Sequence, residues 1–271
     1  MAGTPKFDNP PVVETVLGVQ FPELPDFRCT HFGLYWDRIK ERYPKCVDKG
    51  RLKPAAEAFP RKLVLLEPPV RIMRGGTAER VWYIAEDDAR LIQLQPDRFI
   101  CNWRELRGAT KYPTYAKNSE MFLDEFSGFR RFCGESRLNE PSPNLCEVTY
   151  INHICPEDGE SAIELFGRVF EGLCWKLPDD SLPRLPESAT FNRAYVIADD
   201  VGRLYAQANI ACHNETKRDL VRFEVTARVN HPSQDPEEIG SSLQLAHEWV
   251  VNGFVSMTNP EIQRERWKRT Q

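Results

Sequence analysis

The sequence predicts an α+β fold made by tandem duplication of one unit: a strand, a helix, a β-meander and a long helix, with antiparallel sheets covered by helices on one face. Three observations predict it. Two hydrophobic strands of similar design, Pro11 to Phe21 and Asn144 to Ile154, stand 133 residues apart. The stretch Ile84 to Leu91 aligns without a gap to Ile197 to Leu204, 113 residues on. Helices of similar patterning follow each of these strands and close each half.

Each element has a local cause. The first strand alternates Val13, Leu17, Val19 and Phe21 on one face, and the second alternates Cys146, Val148, Tyr150 and Ile154. Period-two alternation is the mark of a half-buried strand. Glu14 and Glu147 fall on the opposite face in both. Thr30 to Tyr43 carries Phe32, Tyr35, Trp36, Ile39 and Tyr43 at helical spacing, and Pro44 ends it. Its counterpart opens with Ser161 and Glu164, the spacing of a capping box. The matched Ile84 and Ile197 segments read as strand, acidic turn, strand, because Asp and Gly satisfy turn geometry. Pro113 to Cys133 and the helix opening at Asp235-Pro236 close the two halves, with Pro at the first helical position of the latter. Both contain a Gly-Phe step, Gly128-Phe129 and Gly253-Phe254, where close helix packing would offset the cost of glycine.

The first unit spans residues 1–139 and the second 140–271. The smaller offset of the second match places an insertion of about twenty residues in the first unit, a long loop over residues 44–69. The second unit ends in a basic segment, 261–271, with Trp267 as the anchor of a short helix; an arm that grips a partner is the alternative.

The chain carries a net charge of −4, with +4 on residues 1–139 and −8 on 140–271. This balance argues against nucleic acid as a partner, which needs a basic footprint. No apolar run is long enough to span a membrane, and Met1 to Phe7 has no signal-peptide character, so a cytoplasmic location is expected. The eight cysteines form no C-x-x-C pair, and most are expected to be small buried hydrophobes. No phosphate loop, nucleophile elbow or metal-ligand spacing is present, so neither a cofactor nor a metal is expected.

The polar face of the second unit is the candidate site. Leu220 to Asn230 alternates, with Val221, Phe223, Val225, Ala227 and Val229 on one face and Arg222, Glu224, Thr226 and Arg228 on the other. The neighbouring strand adds Tyr205, Gln207 and Asn209, and the 144–154 strand adds Glu147 and His153. This set reads either as a solvated face of cross-strand ion pairs or as a platform for a small ligand or a protein partner. A hydrolase using Glu147, His153 and Glu224 is the enzymatic alternative. In the first unit the turn match carries Ile92 and Leu94 to the outer face, which makes them candidates for self-association in a homodimer. The competing expectation is that the 44–69 loop, through Leu63-Val64-Leu65-Leu66, folds over that face instead.

Several runs carry a family resemblance: Asn9-Pro10-Pro11-Val12-Val13-Glu14, Gln93-Leu94-Gln95-Pro96-Asp97-Arg98-Phe99 followed by Asn102-Trp103, Tyr112-Pro113-Thr114-Tyr115, and Tyr150-Ile151-Asn152-His153-Ile154. On these the chain resembles a bacterial family of similar length, sporadically distributed among species and without an assigned activity. The resemblance implies a bacterial cytoplasmic protein and horizontal transfer, with phage-defence or toxin-antitoxin loci as a setting; the binding or interaction role is expected from the polar face and the missing catalytic motifs. The resemblance implies no catalytic residue.

Overall fold

A computed structural model describes residues 5–55, 57, 59, 79–106, 112–170, 186–213, 216–231 and 235–270. The described strands form one antiparallel nine-stranded sheet in the order β2-β3-β4-β5-β1-β6-β9-β8-β7. The strands are β1 (Val12–Gln20), β2 (Lys45–Lys49), β3 (Arg80–Ile84), β4 (Arg90–Gln95), β5 (Arg98–Arg104), β6 (Leu145–Ile154), β7 (Thr190–Ala198), β8 (Gly202–Cys212) and β9 (Asp219–Asn230). The helices are α1 (Cys29–Ile39), α2 (Tyr115–Glu135), α3 (Ala162–Val169), α4 (Pro236–Met257) and α5 (Pro260–Glu265). None of them is long and apolar enough to cross a membrane.

β1 and β6 lie side by side at the centre, with Leu17 opposite Val148 and Val16 opposite Thr149. β1 then pairs with β5 and β6 with β9, each through a full antiparallel ladder. α2 packs on β1 and β5, and α4 on β6, β8 and β9. The face toward these helices is aromatic. Phe99 meets Phe122, Phe126 and Phe129 at ring separations of 6.1, 5.6 and 5.4 Å. In the second half Phe223 meets Phe170 and Phe254 at 5.0 and 5.8 Å. Burying such rings is worth more than their area alone when they meet edge-on or offset.

Local expectations are met in several places. At α3 the Ser161 hydroxyl accepts the Glu164 N–H, and the Glu164 carboxylate accepts the Ser161 N–H. α4 begins at Pro236. Trp267 is buried against Phe254, and residues 6–9 pair with the chain that follows α5, closing N- and C-terminal segments together. Gly253 packs closely against the sheet rather than another helix, since a Cβ there would stand 2.6 Å from Leu204 Cδ2 on β8. At Gly128 nothing lies within 4 Å, so packing does not explain that glycine.

Three expectations are corrected. The cysteines are less buried than expected: Cys101, Cys133 and Cys146 are inside, whereas Cys29, Cys46, Cys155 and Cys212 are exposed. The exposed ones sit on an edge strand, at element ends or just past them, where neighbours are few. The 44–69 segment is not all loop, because Lys45–Lys49 adds an edge strand to β3; Leu63 to Leu66 lie outside the described residues.

The third correction concerns Ile92 and Leu94. Both are fully buried in the helix-facing core, opposite Tyr83 and Val81. They offer no surface for self-association. The gap-free turn match misplaced them by one residue, and a one-residue slip turns every side chain of a strand over. β7 carries a bulge at Ile197, so that Leu204 pairs with Tyr195, whereas Leu91 pairs directly with Ile84. Leu204 therefore faces the core and Leu91 does not. The two turns do share a feature: Asp88 and Asp200 both adopt left-handed backbone, at φ 56° and 61°. Aspartate tolerates that region better than most residues.

Leu94→Ala is expected to destabilise the fold by about 2–5 kcal/mol, the usual range for a buried leucine. Urea denaturation measures this. A loss below about 0.5 kcal/mol, typical of surface positions, would contradict the core assignment.

Candidate functional site

The face of the sheet away from α2 and α4 is polar across most of its width, and both halves contribute. In the first half a chain of hydrogen bonds crosses four strands. Arg80 and the Trp82 indole both donate to Gln93 Oε1 at 2.9 Å. Gln93 Nε2 donates to Asn102 Oδ1 at 2.8 Å, and Asn102 Nδ2 to Glu14 Oε1 at 2.6 Å. Burial raises the Glu14 carboxyl pKa; the Asn102 bond and the charges of Arg104 and Arg222 oppose that rise, and Glu224 adds to it. A desolvated carboxylate costs more than a desolvated acid, so burial favours the protonated form.

The predicted residues of the second half lie on this same face. Glu147 receives a hydrogen bond from Arg228 Nε, opposite it on β9. Arg222 and Glu224 pair at 2.5 Å, both partly exposed. Tyr205 donates its hydroxyl to Glu57, 2.8 and 2.9 Å from its two carboxylate oxygens. Gln207 is exposed, and Asn209 Nδ2 donates to the Ile210 carbonyl at 3.0 Å. His153 meets His213 edge-on at 6.1 Å; burial lowers its pKa first, and the charges of His213 and Arg222 lower it further.

The hydrolase set does not converge. Along β6, Glu147 and His153 are six residues apart, about 20 Å at strand rise. Glu224 lies opposite Ile151, near His153 but not Glu147, and both carboxylates are already engaged by arginines. No single reacting atom could be reached by all three.

Sequence reasoning found only part of the row that runs across the other end of this face: Glu147, Tyr205 and Arg228 were among its candidates, whereas Gln20, Gln95, Arg98 and Arg203 were not. The row begins with Gln95 and Arg98, continues through Gln20, Glu147 and Arg228, and ends at Arg203 and Tyr205. Residues 50–55, with 57 and 59, cross it as a strap. The Leu52 N–H donates to Gln95 Oε1 at 3.1 Å, and the Lys53 carbonyl accepts from Arg98 at 3.2 Å. Ala55 exchanges two bonds with the Gln20 amide, at 2.7 and 2.8 Å. Glu57 then reaches Arg203 at 2.7 Å, with the two side chains 1% and 4% exposed. Phe59 lies against the Arg203 guanidinium, 4.0 Å from ring centroid to Cζ. This segment was expected to fold over the face carrying Ile92 and Leu94; its first part instead crosses the opposite face, through polar contacts. The available signal was Gln93 and Gln95, which the turn match, by placing Ile92 and Leu94 outward, turned inward.

Apart from this face, a buried histidine packs on the helix side. His247 stacks on Tyr115 at 3.8 Å and 2°, and its Nδ1 lies 3.1 Å from the Tyr150 hydroxyl, which in turn meets Tyr112 at 2.6 Å. Burial pushes its pKa down to about 4.

Compared with protein-family models, curated proteins and solved structures, the chain matches none.

Two pH effects follow. His247 stays neutral in the fold while the unfolded imidazole takes up a proton at its ordinary value. Its contribution is therefore complete above that value and lost as pH falls toward about 4, at a slope of about 1.4 kcal/mol per pH unit. His247→Phe should remove that slope in urea midpoints; an unchanged slope would contradict the burial. Glu14 has the opposite sign. Its raised folded pKa favours the fold at low pH, and the advantage is lost as pH rises through that value. Glu14→Gln should flatten the decline just above the ordinary carboxylate range.

Proposed function

We propose that the chain is a binding protein of the bacterial cytoplasm whose polar sheet face receives a small ligand. The observation that carries this reading is the density of half-buried ionisable side chains on that one face: Glu14, Glu147, His153, Arg222, Glu224 and Arg228, on three adjacent strands. A sheet needs no such concentration for its own stability, because half-exposed ion pairs contribute about 0–1 kcal/mol each. It does supply oriented donors and acceptors in a partly desolvated setting, which is what a polar ligand requires. A setting in a phage-defence or toxin-antitoxin locus belongs to the same reading and rests on the family resemblance alone.

The reading includes tandem duplication, with helices covering one face. Its support is the register. Glu14 stands opposite Arg104 as Glu147 stands opposite Arg228. Gln20 stands opposite Arg98 as His153 stands opposite Arg222, and Val19 opposite Phe99 as Asn152 opposite Phe223. Counting one strand further outward, Gln93 opposite Ile100 corresponds to Gln207 opposite Glu224. The polar face would thus be a site made twice and joined along β1 and β6.

Native mass spectrometry of protein purified from its own host tests the function. A stoichiometric non-protein mass is expected on the wild-type chain and absent from a folded Arg222→Ala/Arg228→Ala variant. A bare chain in both, or a bound mass that survives the double substitution, would remove the reading.

A further inference from the structure

The strap end of the polar face has the composition of an anion site, and the chain's own carboxylate sits in it. Glu57 belongs to no helix or strand, yet its side chain is 1% exposed. It comes from a segment 146 residues away in sequence from the guanidinium it meets. One of its carboxylate oxygens lies 2.7 Å from Arg203, and both accept from Tyr205. Arg228 stacks over the Tyr205 ring at 5.1 Å and feels the Glu57 charge. Farther along the row Arg98, only 8% exposed, is bonded by its NH2 group to the Gln20 amide oxygen and the Lys53 carbonyl, both neutral, while its Nε has no partner among the described residues.

The charge count identifies what would replace Glu57. Asp97 is engaged by Arg51 of the strap, and Arg51 is engaged again by Glu23. Among the described residues the remaining row holds Arg98, Arg203 and Arg228 against Glu147, three positive charges to one negative. With the Asp97–Arg51–Glu23 set, net −1, counted in, this end of the face is neutral while Glu57 is in place and positive by one when it is out. A guanidinium with a phenolic hydroxyl beside it donates to oxyanions in general, and arginine matches carboxylate and phosphate geometry in particular.

We infer that Arg203, Tyr205 and Arg228 form a binding site for a dianionic oxyanion, a phosphate or a dicarboxylate, and that Glu57 occupies it as an internal competitor. This deepens the proposed function, since it names the ligand class of the same face. The ligand displaces the Glu57 carboxylate from Arg203 and Tyr205. The apparent affinity is then the intrinsic one reduced by the fraction of chains in which Glu57 is already out.

Isothermal titration with inorganic phosphate and with succinate, each against chloride at matched ionic strength, tests this. Glu57→Gln should bind at least one of the two about tenfold more tightly than the wild-type chain, because the internal competitor loses its charge. The arm that gains tells phosphate from dicarboxylate. Adding Arg203→Met to Glu57→Gln should abolish the gain. No gain in either arm, or a gain that persists without Arg203, overturns the proposal. A second measurement avoids dependence on folding of the variant. In the wild-type chain, the 15N resonances of the Arg203 guanidinium should shift with phosphate or succinate and not with chloride; identical spectra in all three overturn it. A host ligand that is lost on Arg222→Ala/Arg228→Ala, together with no gain in Glu57→Gln, would leave the binding face standing and remove Glu57 as its competitor.

Discussion

The antiparallel pairing of β1 with β6 is the contact on which the rest of the sheet depends. Each strand is flanked on both sides, so all its backbone donors and acceptors are committed to ladders. Side chains in a strand alternate strictly, so setting Val16 opposite Thr149 also decides which residues of β5 and β9 face the helices, and through them those of β4, β3, β8 and β7. A shift of one residue at this pair would turn one strand over against the other, carrying either Leu17 and Val19 or Val148 to the polar face and bringing Glu14 or Glu147 into the aromatic core. The cost of burying a carboxylate without partners opposes it. Gly18 marks how tightly the centre is built, since a Cβ there would stand 3.0 Å from Ile100 Cγ1.

The two faces are then held by different physics. Toward the helices, phenylalanines from strands and helices interlock, and the gain is area removed from water together with ring geometry. On the other face, buried amides and guanidinium groups need partners one by one, since an unpaired buried polar group costs about 1–3 kcal/mol. The sheet cannot supply all of them. Gln20, Gln95 and Arg98 find theirs on the backbone of the strap, at Ala55, Leu52 and Lys53. The strap is therefore a structural member for the first half and, through Glu57, a charge partner for the second.

Much of the architecture was legible from periodicity. The β1 and β6 strands, the capping box of α3, the start of α4 and the two long helices all carry their pattern locally, and local patterns survive folding. The alternation of β9 was read correctly, which is why Arg222, Glu224 and Arg228 were placed on the polar face. Ile92 and Leu94 were misplaced because a bulge in β7 changes the alignment by one residue, and bulges leave no reliable mark in sequence. The strap was missed for a different reason. Its contacts, Leu52 with Gln95, Ala55 with Gln20 and Glu57 with Arg203, join residues far apart in the chain through polar groups with no periodicity. Composition can show that a loop is polar, but not which buried side chains it will satisfy.

The contact between Glu57 and Arg203 also bears on how the chain is made. Arg203 is synthesised 146 residues after Glu57. At about 5–20 residues per second, the usual pace of synthesis, roughly 7–30 seconds separate the two. Until Ile154 is made β1 lacks β6, and for the whole interval the strap lacks its second anchor. The first half must emerge with its polar face unfinished and the open side of β1 exposed. Nascent chains at this stage have the unpaired strand edge that invites association with neighbours, so the final shape of the amino-terminal half is settled only when the carboxy-terminal half has left the ribosome.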